Sequence, residues 1–109
     1  MGQPTLGELL TRPGVNRVLD VCRDRYRRLI LVELRQERTM QVCDLLFRND
    51  PETARLALEH EHLPKLAEAG YVEWDWETDE VTVGPAFEEV EPLLDLIERH
   101  ADELPPGWP

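Results

Sequence analysis

The hydrophobic periodicity of this chain predicts an α+β fold, mostly helical, with a two-stranded β-hairpin. Apolar residues recur at three- and four-residue spacing from Val15 to Ala69, the period becomes two between Tyr71 and Val83, and helical spacing returns from Val90 to Ala101. With 109 residues, 41% of them apolar, the chain is one domain long and can close one core.

Each element has its own signal. Thr5 and Glu8 have capping-box spacing, and Leu6, Leu9 and Leu10 form the inner face of a short helix that ends before Pro13. Val15, Val18, Leu19 and Cys22 fall at i, i+3, i+4 and i+7, opposite Asn16, Arg17 and Asp20, which predicts an amphipathic helix. A second helix continues to Gln36, with Tyr26, Leu29, Ile30 and Leu34 on one side and Arg25, Arg28 and Arg35 on another. Thr39 and Met40 make an extended bridge, and Val42, Leu45 and Leu46 give about two one-sided helical turns. Asp50 as N-cap and Pro51 at the first helical position open a third core helix, which stops at Gly70 and bends near Glu61 because Pro64 lacks an N–H. Its inward face is Leu56, Leu63, Leu66 and Ala67, with Arg55, Leu58, Glu61, His62 and Lys65 outward. Val72, Trp74, Trp76, Val81 and Val83 alternate with polar residues around a turn at Thr78 and Asp79. A last helix follows Pro85, reset by Pro92, and 104–109 is a Pro-rich tail. The core thus spans 15–84 and the C-terminal helix 85–103.

Helix, bridge, helix, helix, then hairpin is the order of a winged helix-turn-helix domain, whose third helix enters the major groove of double-stranded DNA. His62-Leu63-Pro64-Lys65-Leu66-Ala67-Glu68-Ala69-Gly70-Tyr71-Val72-Glu73, preceded by Arg23-Asp24-Arg25-Tyr26-Arg27-Arg28-Leu29-Ile30-Leu31, resembles an uncharacterised haloarchaeal family of small winged-helix domains. The resemblance covers positions 15–84 and implies a DNA-binding regulator of transcription. The junction Leu63-x-x-Leu66-x-x-Ala69-Gly70-x-Val72 is also similar to that of small metal-sensing repressors, although it encodes packing and a C-cap. Asp79 stands where the family commonly has a glycine at the wing tip, which Asp accommodates because it tolerates positive φ.

Charge is unevenly placed. Twelve basic residues face 23 acidic ones, for a net charge of -11. Only Lys65 is a lysine, and an acidic surface of this kind suits molar salt, where a Debye length of about 3 Å removes carboxylate repulsion. We read from this a salt-loving archaeon and a cytoplasmic protein. Residues 12–38 hold eight arginines against four acids, and residues 39–109 hold four bases against eighteen acids. Arg23, Arg25, Arg27 and Arg28 are therefore the candidates for DNA phosphates, with Arg55, His62 and Lys65 as groove contacts on the third helix. The wing, carrying Glu73, Asp75, Glu77, Asp79 and Glu80, would repel phosphate. The stripe Val90, Leu93, Leu94, Ile97 and Ala101 is the candidate homodimer interface.

Other chemistry finds little support. His60 and His62 lie about 200° apart on a helix and cannot share an ion, Glu59-x-x-His62 has no second copy, and Cys22 and Cys43 form no knuckle, so no metal or cofactor is expected. The chain has no glycine-rich phosphate loop, no nucleophile elbow and no serine, so no enzyme is expected. No apolar run approaches the ~20 residues of a membrane span. The rival to DNA binding is a winged-helix module that binds a protein through its acidic surface or its C-terminal stripe.

Overall fold

Thr5 and Glu8 cap each other reciprocally, the Thr5 N–H donating to Glu8 Oε2 at 3.3 Å and the Glu8 N–H to Thr5 Oγ1 at 3.2 Å, which starts α1 (Leu6–Leu10). The computed structural model describes residues 2–3, 5–10, 13–45 and 51–106, with the backbone alone at 9, 10, 13, 51 and 54. Leu6 is exposed, against the expectation of an inner face, and the side chains of Leu9 and Leu10 lie outside the described residues.

The two central helices are separate. α2 (Pro13–Cys22) ends at a break where Asp24 accepts the N–H groups of Tyr26 and Arg27 at 2.8 and 3.2 Å, capping α3 (Arg25–Glu37). Ile30, Leu31 and Leu34 of α3 are fully buried, while α2 contributes Val21. The face predicted for α2 is corrected accordingly: Val15 and Leu19 are exposed, and Val18 and Cys22 only half-buried. Arg38 turns the chain in the left-handed region, with φ 67°, into β1 (Thr39–Gln41). The expected two-turn helix is a single 3₁₀ turn over Val42–Leu45, and Leu46 and the N-cap Asp50 lie outside the described residues.

The third core helix consists of α4 (Pro51–Ala57), a π turn (Leu58–His62) and α5 (Leu63–Glu68). Pro64 has no N–H to give the carbonyl four residues back, and the Leu63 N–H instead reaches five residues back to the Leu58 carbonyl. The wider turn shifts the helical phase, which corrects the predicted faces. Leu58 and His62 are buried, whereas Leu56 and Ala67 are exposed.

Gly70, at φ +82°, ends the helix in the left-handed region and delivers the chain to β2 (Val72–Asp75) and β3 (Glu80–Val83). Asp79 sits in the hairpin turn at φ 58°. The antiparallel sheet runs β1-β3-β2, with Met40 and Trp74 both opposite Val81. Gly84 lies so close to the Gly70 carbonyl and the Val72 nitrogen that an added Cβ would stand 2.8 Å from that nitrogen. A 3₁₀ turn (Phe87–Glu89) then leads into α6 (Glu91–Arg99), with Pro92 in its first turn. Val90 and Leu94 are buried in the chain's own core, and Leu93 and Ile97 are half-buried. Only Ala101 of the proposed dimer stripe is exposed, so Val90 and Leu94 are withdrawn from that interface. No helix among the described residues is long and apolar enough to cross a membrane.

Tyr71 is fully buried, and among the described residues its hydroxyl has no partner that meets hydrogen-bond geometry. Burial first, and then the Glu89 carboxylate, push the phenol up to about 12 from its ordinary 10. The folded state therefore holds this proton longer than the unfolded one, and the resulting stability is complete below pH 10 and lost as pH rises toward 12. In Tyr71→Phe, the urea midpoint should decline less steeply over that window than in the wild type. Equal slopes would contradict this assignment.

Candidate functional site

The seven predicted DNA contacts have quite different environments. Arg27 is buried, 3% exposed, at the end of α2, where Nε donates to the Val21 carbonyl at 2.8 Å and Nη2 to the Asp20 carbonyl at 3.2 Å. Such carbonyls lack partners within their own helix, so Arg27 acts as a tertiary cap. His62 is 5% exposed, with its ring stacked on Tyr26 at 5.1 Å and nearly parallel, and with Nδ1 3.5 Å from Arg27 Nη1 and 3.7 Å from Asp24 Oδ1. The Tyr26 hydroxyl donates to the Leu45 carbonyl at 2.5 Å, so this cluster ties α2, α3, the 3₁₀ turn and the third helix together. Arg27 and His62 are thus removed from the DNA-contact set, because neither reaches the surface.

The others are engaged to different degrees. Arg28 donates to the Cys22 and Arg23 carbonyls, both at 2.9 Å, and is half-buried. Arg55 reaches Glu59 at 3.0 Å and Asp79 at 2.8 Å, linking α4 to the turn of the β2–β3 hairpin. Lys65 pairs with Asp20 at 2.8 Å, and this hydrogen bond draws the Asp20 carboxyl below its ordinary value. Arg23 and Arg25 are exposed, Arg23 lying 3.9 Å from Asp20.

The same economy holds beyond this set. Arg35 spans from α3 to Asp95 and Glu98 of α6 at 2.7 and 2.6 Å, and Arg38 reaches Glu91 at 3.0 Å. Glu91, Asp95 and Glu98 recur at i, i+4 and i+7, an acidic stripe that the sequence displays opposite an arginine-bearing helix. Among the described residues, most of the arginines between positions 13 and 38 are thus held by the chain's own carboxylates and carbonyls.

What remains on the third helix and hairpin is acidic. Residues 51–83 carry nine acids and two bases, and both bases are ion-paired. Glu73, Glu77 and Glu80 are exposed and, among the described residues, make no ion pair. Unscreened, this charge opposes folding, so the denaturation midpoint should be higher in molar than in dilute KCl. An unchanged midpoint would contradict the reading of the surface as salt-adapted.

Asp24, Glu61 and His62 offer donor atoms within 4.8 Å of one another, the arrangement nearest to a metal site among the described residues. The guanidinium of Arg27 3.5 Å from the imidazole nitrogen, and the two N–H groups already on Asp24 Oδ1, put a positive charge and competing donors where a cation would sit. An apolar trough lined by Val15, Val18, Leu19, Pro92 and Leu93 lies between α2 and α6. No protein-family model matches this chain, and neither does any curated protein.

Proposed function

We propose that the chain is a winged helix-turn-helix domain that serves as a protein-interaction module, presenting its third helix and wing to a partner of basic surface. The sheet order β1-β3-β2, with a helix immediately ahead of the hairpin, supports the winged architecture. The observation that carries the choice of partner is the charge of these elements: residues 51–83 carry nine acids against two cations, each cation already held by carboxylates. Binding to phosphates draws its affinity from free cations that release counterions. Here Arg55 would have to leave two carboxylates and Lys65 one before either could contribute.

The topology and the exposed Arg25 favour a second reading, that of a DNA-binding regulator in a halophilic archaeon. Titration of genomic fragments in dilute and in molar KCl separates the two. A folded protein that retains no fragment under either condition supports the interaction module. Fragments retained by the wild type and lost by Arg25→Glu would overturn it in favour of the regulator.

A further inference from the structure

We propose that two copies of this chain pair through the apolar trough beside α2, with their α2 helices antiparallel about a two-fold axis. The trough encloses about 620 Å³ between α2 and α6, and none of its lining residues belongs to the third helix or the hairpin. Val15 and Leu19, one turn apart on α2, are 54% and 59% exposed along it, and Pro92 and Leu93 form its other wall. A ridge of residues four apart beside an apolar groove is what one helix packs into another. In a chain with 23 acids, only one charged side chain, Glu89, lines this trough.

The order of charges along α2 selects the occupant. Glu89 lies at the start of the helix, where a Cβ added to Gly14 would stand 2.7 Å from its Oε1, and it accepts Arg17 Nη2 at 3.3 Å. Arg23 follows the other end of the helix and continues the four-residue spacing of Val15 and Leu19. Its side chain is 76% exposed and reaches Asp20 only at 3.9 Å. From one end of α2 to the other the order is therefore carboxylate, valine, leucine, guanidinium, over about 13 Å of helix. Reversing that order gives its complement. An antiparallel second copy sets Leu19 beside Val15 of the other copy and Arg23 over Glu89 of the other copy, and the two-fold axis repeats both contacts, as a closed pair of identical chains requires. A parallel copy would set like charges together. Because each copy carries a net charge of -11, dilute salt opposes the pairing and molar salt removes most of that repulsion while leaving the apolar contact intact.

Sedimentation equilibrium of the full chain over a dilution series, in dilute and in molar KCl, tests this, with far-UV circular dichroism to show that each variant is folded. The wild type should dimerise, and more tightly in molar KCl. Leu19→Glu places two carboxylates in the apolar contact and should raise the dissociation constant by more than about tenfold. Leu56→Glu, at a leucine of α4 with similar exposure, should leave it unchanged. Arg23→Glu and Glu89→Lys should each weaken the dimer, because each sets like charges face to face across the axis. An equimolar mixture of these two variants should instead form a heterodimer, in which both contacts again join opposite charges. A wild type that stays monomeric at every concentration and salt, equal dimerisation of Leu19→Glu and Leu56→Glu, or a mixture of folded Arg23→Glu and Glu89→Lys no more associated than its components would overturn the pairing. If Glu89→Lys does not fold, the comparison of Leu19→Glu with Leu56→Glu decides alone.

Discussion

Arg27→Ala should destabilise the protein by about 3–5 kcal/mol, the cost of breaking a buried charged network and leaving its partners unpaired. The substitution orphans the Val21 and Asp20 carbonyls and opens a gap beside the His62 ring. Arg27→Met, which keeps the apolar stem, should recover part of the loss. Arg25→Ala, two residues away and exposed, should stay within about 0.5 kcal/mol of the wild type. Urea midpoints for the three variants check this, and a wild-type midpoint for Arg27→Ala would contradict the placement of Arg27 in the core.

Leu94→Glu should abolish folding. Leu94 is 1% exposed within the core, so the substitution removes apolar burial and puts a carboxylate into the hydrophobic cluster. Its cost, more than about 4 kcal/mol, is comparable to the whole stability of a small domain. Leu96→Glu, at a 55% exposed position two residues on, should fold normally. Far-UV circular dichroism distinguishes the pair. A folded Leu94→Glu that sediments as a monomer would restore Leu94 to an interface between copies.

The parts of this fold that follow from local rules were legible in the sequence. The hairpin, the left-handed Asp79 and Gly70, and the Thr5–Glu8 capping box each depend on residues within a few positions of one another. The faces of the third helix were not, because a wheel of constant pitch loses phase where the π turn over Leu58–His62 widens the helix, exchanging Leu56 and Leu58 between surface and core. Pro64 announced a distortion there but not its form.

Two members of the candidate site, Arg27 and His62, were misplaced for a different reason. Arginines on an amphipathic helix look like a surface whether they face water or cap a neighbouring helix end, and the partners of Arg27, Arg35 and Arg55 lie on other elements. Arg35 finds its carboxylates 60 and 63 residues away, a pairing that no local pattern encodes. His62 likewise needed the tertiary position of Tyr26 to be placed.

The central claim is that the face formed by the third helix and wing receives a basic protein segment rather than DNA. A backbone chemical-shift map of the full chain in molar KCl tests it most directly, with a duplex oligonucleotide added first and a hexa-arginine peptide second. The duplex should leave the spectrum unchanged, and the peptide should then move amides of the third helix and the hairpin, those of Glu61, Glu73, Glu77 and Glu80 among them. Shifts along Glu52, Arg55 and Glu59 on addition of the duplex, with none at the wing on addition of the peptide, would contradict the account.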